Sequence, residues 1–187
     1  QSIRLAASGY ATCLVSGGDA GIYAMASLVF ETMHKELDKS QRAQLKVEVI
    51  PGISAMQALA ARIGAPLGHD FAVISLSDLL TPWQTIEQRL TAAAAADFVL
   101  VLYNPASKTR TQQLRTAKNI CLAYRHANTH VIIGRNISRA NESIERIALG
   151  ELCESSVDMM SLVIIGNSQT TRTDDWVYTP RGYAKHA

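Results

Sequence analysis

The sequence predicts an α/β fold in which helices cover a largely parallel β-sheet. Short β-branched or aliphatic runs alternate along the chain with longer amphipathic segments, an order typical of β–α–β units. Turn-forming residues separate these segments. The 187 residues, 48% of them hydrophobic, also supply enough apolar material for a sizeable core and permit one or two domains.

The first third of the chain is predicted to alternate helices with two strands. Residues 12–16 (TCLVS) and 46–50 (KVEVI) have the aliphatic composition of strands. Ser54 is a suitable N-cap, and Gly64 a suitable end, for a helix between them. The predicted order is the end of a helix (3–7), a strand (12–16), a helix (22–36), a strand (46–50) and a helix (54–63). Residues 64–70, with one proline and two glycines, form the best linker candidate.

The rest of the chain continues the same alternation. Residues 98–103 (FVLVLY) form a continuous apolar run that predicts a buried strand. Pro82 suits the first position of the helix that follows it, and Gly150 suits the end of another. The predicted strands are 71–76, 98–103, 130–134 and 161–166, and the predicted helices are 83–96, 111–125 and 141–149.

Charge and composition exclude several classes of protein. The formal net charge is +2 without a long basic run, so we expect no nucleic-acid partner. The apolar runs fall far short of the ~18 residues that span a bilayer, so we expect no membrane segment. Residues 1–9 lack the pattern of a secretory signal, which predicts a cytoplasmic protein. The charged fraction of 18% lies below the usual value of about 25% and indicates surface hidden either between domains or between the subunits of an oligomer.

The three cysteines, Cys13, Cys121 and Cys153, are widely spaced. This spacing fits neither a disulfide framework nor a zinc motif. We therefore expect three buried thiols in a reducing compartment and no metal site.

Small, polar and turn-forming loops follow the predicted strands. In open α/β sheets, ligands bind at the carboxyl ends of the strands, so these loops predict one composite pocket. They are SGGDAG (16–21), PGISA (51–55), SLSDLLTPW (75–83), YNPASKTR (103–110), GRNIS (134–138) and GNSQTT (166–171).

Each loop has an ordinary structural explanation beside the functional one. Gly17 and Gly18 let the backbone approach a ligand and Asp19 offers a carboxylate, but the same residues also suit a tight turn with an Asp N-cap. Lys108 and Arg110, together with Arg135 and Arg139, are able to bind carboxylates, or are solvated charges. No dinucleotide, triphosphate or GxSxG signature occurs, which argues against an oxidoreductase and a serine hydrolase.

Several of these segments together resemble the tetrapyrrole methylases of cobalamin biosynthesis, over nearly the whole chain. The segments SGGDAGIYAMA, VEVIPGISAMQALAARIGAPLGHDF and LVLYNPAS carry the family likeness. The segments SLSDLLTPW and TPRGY are similar to the branch that methylates carbon 17 of precorrin-3B or cobalt-precorrin-3 with ring contraction. Other branches, acting at different ring carbons, and a non-catalytic tetrapyrrole carrier remain alternatives.

The resemblance implies two α/β domains, 1–67 and 68–187, with a mostly parallel N-terminal sheet and a mixed C-terminal sheet. It also implies an S-adenosylmethionine cofactor, a tetrapyrrole substrate and a homodimer. Members of the family open with a strand and a Gly-rich loop that this sequence lacks. We therefore expect an incomplete first domain that does not turn over by itself.

By position, the resemblance also implies a set of site residues. The implied cofactor contacts are Gly17, Gly18, Asp19, Ile22, Ser54, Ala55, Asn104 and Asn136. The hypothetical contacts to the substrate's carboxylates are Ser77, Thr81, Lys108, Arg110 and Arg135. Ring contraction needs an acid or base, for which Asp78 and His69 are candidates, and nothing in the sequence chooses between them.

Overall fold

The computed structural model describes residues 1–107 and 110–183 of the chain. By its internal contacts the chain divides into two compact units, residues 1–54 and 55–187. The boundary predicted between residues 67 and 68 falls inside the second unit. Residues 64–65, the start of the predicted linker, form a strand that pairs with residues 177–178 of that unit.

The first unit contains three helices, α1 (Ser2–Ala7), α2 (Met25–Glu36) and α3 (Lys39–Gln44). Helix α3 begins at a capping box, in which the Asp38 carboxylate accepts from the Gln41 N–H at 2.8 Å and the Gln41 side chain accepts from the Asp38 N–H at 3.0 Å. An exposed ion pair of 3.2 Å between Arg4 and Glu36 links α1 to α2. Helices α1 and α2 were predicted from the sequence, at 3–7 and 22–36, whereas α3 was not.

The strands predicted at 12–16 and 46–50 are wrong, and so is the mostly parallel N-terminal sheet. Both segments run without helix, turn or bend, but neither is a β-strand. A β-strand requires a neighbouring strand to which it is hydrogen-bonded. Within the described residues, neither segment has a backbone hydrogen bond to another segment of the chain. Local composition therefore indicated the tendency of each segment without supplying its partner.

The described residues of the second unit form three helices, two 3₁₀ turns and eight strands. The helices are α4 (Ala55–Ile63), α5 (Trp83–Ala95) and α6 (Gln113–Leu122), and the 3₁₀ turns are Leu149–Glu151 and Glu154–Ser156. The strands are β1 (Gly64–Ala65), β2 (Phe71–Ser75), β3 (Val99–Tyr103), β4 (His130–Arg135), β5 (Ser143–Ala148), β6 (Ser161–Ile165), β7 (Thr171–Thr173) and β8 (Trp176–Tyr178).

The strands of the second unit form two mixed sheets. The larger has the order β2-β3-β6-β4-β5, and the smaller has the order β1-β8-β7. In the larger sheet β2 and β3 are parallel, whereas β6 runs antiparallel to both β3 and β4. The mixed C-terminal sheet predicted from the sequence is confirmed.

The main core lies between the larger sheet and helices α5 and α6. Alternate residues of each strand face these helices, as the two-residue period of a strand requires. Fully or almost fully buried side chains fill this layer: Ile86, Leu90, Leu100, Leu102, Leu114, Val131, Ile133, Val163 and Ile165. Each large aliphatic side chain buried here contributes about 1.5–3 kcal/mol to the stability of the fold, so this layer stabilises the larger sheet.

The helix predicted at 141–149 is wrong, because most of this segment is the edge strand β5. Its apolar residues Ile144, Ile147 and Ala148 have helical spacing, which favoured the prediction. In the structure, all six residues of β5 pair with β4, from Ser143 opposite Arg135 to Ala148 opposite His130. Pairing with an already buried strand therefore overrides a weak local preference.

A buried arginine links the start of β3 to the end of β6. Arg125, 8% exposed, donates to the carbonyl oxygen of Gly166 at 2.7 Å and to that of Phe98. Burial lowers the pKa of its guanidinium. These bonds satisfy carbonyls just before β3 and just after β6, so Arg125 fixes the two strands against each other.

The cysteines differ from the expectation of three buried thiols. Cys121 is buried, whereas Cys13 and Cys153 are exposed, and all three are free. Burial raises the pKa of Cys121 to about 11. Over residues 1–107 and 110–183 there is no cluster of His, Cys, Asp and Glu suited to a metal ion. No helix in that part of the chain has both the length and the apolar character needed to span a membrane.

Candidate active site

One candidate site lies in the first unit, where Asp19 joins two turns. One carboxylate oxygen accepts from the N–H of Gly21 at 2.7 Å, and the other accepts from the N–H of Gly52 at 3.0 Å. These two hydrogen bonds, of which the one from Gly52 has the larger effect, hold the pKa of the Asp19 carboxyl below its usual value. Asp19 therefore joins the SGGDAG turn to the PGIS turn, a contact that the N-cap explanation did not include.

The backbones of the two turns lie in direct contact. A Cβ atom on Gly52 would collide with the carbonyl oxygen of Gly18 and would come within 3.3 Å of the Asp19 Cα. Gly18 has φ +73°, a conformation that favours glycine. By contrast, a Cβ on Gly17 would meet nothing within 4 Å, so open space lies beside this residue. Two of the three glycines are thus required by geometry, and the third faces free volume.

Ile22 and Ser54 flank these turns. The N–H of Ile22 donates to the Asp19 carbonyl at 3.3 Å, and its side chain is half-buried. Ser54 is 3% exposed, at the end of the first unit. Gly17, Gly18, Asp19, Ile22 and Ser54 thus belong to one local structure.

A second candidate site lies in the second unit, at one edge of the larger sheet, which we call the site edge. Strands β2, β3 and β4 run in the same direction and end there, at Ser75, Tyr103 and Arg135. Strand β6 runs in the opposite direction and begins there, so the loop that precedes it also lies at this edge. The topology thus brings together four loops: 76–82, 104–112, 136–142 and 157–160.

Asn104 connects the first two of these strands. It has φ +53° directly after β3, and its side-chain amide donates to the Ser75 hydroxyl at 2.9 Å. The same hydroxyl accepts from the N–H of Ser77 at 3.2 Å. Asn104 therefore orders the loop that carries Ser77 and Asp78.

Arg110 is the most buried charged residue of the site edge, at 5% exposure. Its guanidinium donates to the Ser77 hydroxyl at 3.1 Å and contacts the Met159 sulfur at 3.5 Å. The Asp78 carboxylate lies 3.9 Å away and accepts at 3.0 Å from the Gln113 side chain. The Nε atom of Arg110 is buried without a hydrogen-bond partner in the part of the chain that the structure describes. Arg110 thus retains unused capacity to donate.

Arg135 and Asn136 stand at the end of β4. Arg135 donates to the Ser156 carbonyl at 2.9 Å and lies 3.3 Å from the Asp158 carboxylate. Asn136 has φ +52°, and its N–H donates to the Met160 carbonyl at 3.1 Å. Both residues therefore tie the end of β4 to the loop before β6.

The remaining predicted residues are distributed differently. Thr81 lies half-buried in the loop after β2, and Ala55 begins α4. His69 precedes β2 and therefore lies at the opposite edge of the sheet from Asp78; its Nδ1 accepts from the Asp70 N–H at 2.7 Å. Lys108 lies outside the described residues.

Sequence reasoning missed four residues that support the site edge. These are Ser75, which holds Asn104; Gln113, which holds Asp78; Met159, which contacts Arg110; and Tyr103, whose hydroxyl accepts from the Met56 N–H at 3.1 Å. Ser75 and Tyr103 end their strands, a position that could have marked them. Gln113 and Met159 carry no such local signal, because their partners Asp78 and Arg110 lie 35 and 49 positions away along the chain.

Comparison with known proteins identifies the family. The model of the tetrapyrrole (corrin/porphyrin) methylases matches residues 2–153. This chain belongs to that family. The fold agrees: a solved structure, that of the methyltransferase CobJ, is 38% identical, superposes with a TM-score of 0.89, and is matched over 95% of this chain and 73% of its own.

Two relatives among curated proteins are similar over almost the whole chain. The precorrin-3B C(17)-methyltransferase of Sinorhizobium sp. is 46% identical, over 98% of this chain and 73% of that protein. The cobalamin biosynthesis protein CobIJ of Mycobacterium tuberculosis is 48% identical, over 96% of this chain. This chain spans only 36% of the length of CobIJ.

Proposed function

We propose that this chain acts in S-adenosylmethionine-dependent methylation of ring carbon 17 of a precorrin-3B or cobalt-precorrin-3 type tetrapyrrole, with ring contraction, in cobalamin biosynthesis. The observation that carries the proposal is the 46% identity with the Sinorhizobium C(17)-methyltransferase along 98% of the chain. Membership of the tetrapyrrole methylases supports the wider reaction class.

The residues of the first unit fit S-adenosylmethionine as cofactor. Each Asp19 oxygen already accepts one N–H, and a carboxylate has about four acceptor sites in all, so both oxygens keep capacity for a ligand's hydroxyl or amine. The space beside Gly17 lets a ligand approach the backbone closely. Gly17, Gly18, Asp19, Ile22 and Ser54 would hold the cofactor, and the resemblance also implies contacts from Ala55, Asn104 and Asn136.

When bound, this cofactor supplies an activated methyl group on a sulfonium. Transfer disperses positive charge, so a strong anion beside the sulfur would slow the step. The chain's contribution is then mainly positioning, which can supply about 7–11 kcal/mol of a barrier. A pair of turns fixed by shared hydrogen bonds, such as those at Asp19, suits that role.

The substrate class is a macrocycle with many carboxylates. Arg110 is proposed to bind one of them, because its buried guanidinium has an unused Nε donor and lies beside the Ser77 hydroxyl. Arg135 ends β4 and Thr81 lies in the loop after β2, both at the site edge, and they are proposed to contact others, as is Lys108.

The placement of the two acid or base candidates favours Asp78. Its carboxylate lies 3.9 Å from the Arg110 guanidinium, at the site edge, whereas His69 lies at the other edge of the sheet. We therefore propose Asp78 as the group that exchanges a proton during ring contraction. In an enzyme carrying Asp78→Asn, methyl transfer should persist while the contracted product fails to form.

We also propose a cytoplasmic homodimer. The low charged fraction of 18% supports hidden surface between subunits, and the free cysteines fit a reducing compartment. Light scattering of the purified chain at micromolar concentration gives the mass directly, and a monomer mass would reject the dimer.

The function is tested by product analysis. A full-length version, which also contains the opening strand and Gly-rich loop that the resemblance implies, is incubated with methyl-labelled S-adenosylmethionine and either the metal-free or the cobalt-loaded intermediate, and the product is examined by mass spectrometry and NMR. A labelled methyl on carbon 17 supports the proposal, and the accepted substrate identifies the aerobic or anaerobic route. A label on another ring carbon indicates a different branch of the family. Visible absorbance of bound tetrapyrrole without any label indicates a carrier.

A further inference from the structure

The second unit contains a cavity of about 260 Å³ that is lined by strands β4 and β5 and by the hairpin of β7 and β8. Val131 and Ile133 belong to the main core, so the residue between them, Ile132, faces the opposite side of the sheet. Arg146 pairs with Ile132 from the adjacent strand and shares that face. The lining comes from within residues 128–177, so the cavity is a feature of the second unit alone.

The cavity lies at the end of β4 that is remote from the site edge. Its lining includes His130 and Ala148, which pair at the start of β4 and the end of β5. The five steps along β4 from His130 to Arg135 at the site edge, at about 3.3 Å each, span roughly 17 Å. Among the described residues, none that is proposed to bind the substrate lines the cavity. A ligand bound here is therefore separate from the site edge.

Two arginines line the cavity without a carboxylate partner. Within the described residues, neither Arg146 nor Arg172 forms an ion pair. Each holds the turn of the hairpin through one nitrogen: Nη2 of Arg146 donates to the Asp175 carbonyl at 3.2 Å, and Nε of Arg172 donates to the Asp174 carbonyl at 2.9 Å. A guanidinium has about five N–H donors in all, so both arginines keep donors for a ligand.

The Nε atom of Arg146 is a second observation that indicates a ligand. This atom is buried and has no hydrogen-bond partner in the part of the chain that the structure describes. Buried donors are normally paired, because an unpaired donor loses its hydration without compensation. Ile132 and Val177, both almost fully buried, supply an apolar part of the lining. Attraction between charges is screened less beside such a surface than in open water.

The remaining lining favours a small anion with several oxygens. Asn128 and His130 add side chains that are able to donate. The Glu151 carboxylate also lines the cavity, but it accepts from the Ala148 N–H at 2.9 Å, and two guanidinium groups against one carboxylate leave an excess of positive charge. The volume lies below the range of about 300–1,000 Å³ that is usual for drug-sized ligands, so the ligand is small.

We propose that Arg146 and Arg172 bind a phosphate group in this cavity, either free phosphate or the monoester of a small metabolite. A phosphate group offers at least three acceptor oxygens, enough to accept from both guanidinium groups at once, whereas a monocarboxylate offers two. The bound group pairs with the buried Nε of Arg146 and links β5 to the hairpin of β7 and β8. The proposal does not depend on the reaction proposed above.

Calorimetry and NMR of the whole chain test the proposal. Inorganic phosphate and glycerol 3-phosphate are titrated separately near neutral pH, with sodium chloride keeping the ionic strength constant. We expect saturable binding with a Kd of about 1 mM or lower, and a shift of the Arg146 Nε–H resonance in the same titration. The tighter of the two ligands shows whether free or esterified phosphate is preferred. Failure of both to bind at about 10 mM, or binding that leaves the Arg146 resonance in place, overturns the proposal.

Three protein variants locate the bound phosphate. Arg146→Gln and Arg172→Gln each remove one guanidinium, and each should weaken phosphate binding at least about tenfold. Arg172 is exposed, so Arg172→Gln keeps the fold even if loss of the bond from Arg146 to Asp175 disturbs the hairpin, and circular dichroism checks all variants. Arg89→Gln is the matched control, because Arg89 is exposed on α5, which packs on the other face of the sheet. Unchanged binding in Arg172→Gln, or equal weakening in Arg89→Gln, contradicts a site in this cavity.

Discussion

Replacing Gly52 by alanine should separate the two turns that Asp19 joins. The new Cβ would collide with the Gly18 carbonyl oxygen, and that atom belongs to a backbone that cannot rotate away. Overpacking of this kind costs about 1–3 kcal/mol, which corresponds to a decrease of about 5- to 150-fold in the population with both turns in place. The N–H of residue 52 would then leave the Asp19 carboxylate, now 3.0 Å away.

The matched control is Gly17→Ala. A Cβ at Gly17 meets nothing within 4 Å, and its φ lies outside the region that disfavours alanine, so this substitution should leave the turns intact or stabilise them slightly. Amide exchange at residues 21 and 52, measured by NMR, reports the two hydrogen bonds to Asp19 directly. Calorimetry with S-adenosylmethionine measures any effect on ligand binding.

The two variants should differ in the rate of amide exchange at residues 21 and 52. We expect Gly52→Ala to accelerate exchange at both amides by the factor given above, while Gly17→Ala leaves exchange unchanged. If Gly17→Ala weakens only ligand binding, the free space beside Gly17 is where the ligand approaches. Unchanged exchange in Gly52→Ala, or equal acceleration in both variants, would refute the reasoning.

Four further predictions follow from the described contacts. Hydrogen bonds lower the pKa of Asp19 in the folded chain, so the ionised carboxylate stabilises the joined turns fully at a pH above its ordinary pKa of 3.8. This stabilisation is lost as the pH falls through the lower pKa of the folded state. Asp19→Asn should remove this acid-dependent loss, measured by amide exchange between about pH 5 and 2. In an active enzyme, Arg110→Ala should raise the KM for the tetrapyrrole about tenfold with little change in cofactor affinity, and the reverse pattern in steady-state kinetics would reject its assignment. Arg125→Lys keeps the charge but loses the forked donors to two carbonyls, so urea unfolding should show a loss of about 2–3 kcal/mol, and no loss would contradict its structural role. Cys153 should react with iodoacetamide faster than Cys13, because the Ser155 and Ser156 hydroxyls lower the pKa of the Cys153 thiol. Buried Cys121 should react at least about tenfold more slowly than either. Mass spectrometry of timed samples measures the order of the three rates, and any other order would contradict the prediction.

Sequence was most informative where a segment's own composition decides its structure. The continuous apolar run of 98–103 gave β3, which lies fully inside the sheet, and Pro82 correctly marked the start of α5. Such elements depend little on distant neighbours. Their positions then located the site edge, because loops at the carboxyl ends of strands were expected to converge. The expectation was wrong for residues 166–171, because β6 runs in the reverse direction and this loop lies at the opposite edge.

Sequence failed where a distant partner decides. Residues 143–148 carry helical spacing but become β5 because β4 offers an edge for pairing. Residues 12–16 have strand composition and still form no strand, because pairing is absent among the described residues. In the candidate site, the contacts of Arg110 with Ser77 and Met159 span 33 and 49 positions along the chain, and no local pattern encodes them.

The reversed direction of β6 has a consequence for synthesis of the chain on the ribosome. Strands β3 and β4 do not touch each other, since β6 lies between them and is made last of the five. After β4 has left the exit tunnel, the two strands therefore wait with their inner edges open until residues 161–165 emerge. A premature stop codon anywhere before Ser161 should leave the nascent chain without its central strand and send it to proteolysis rather than to a smaller folded product.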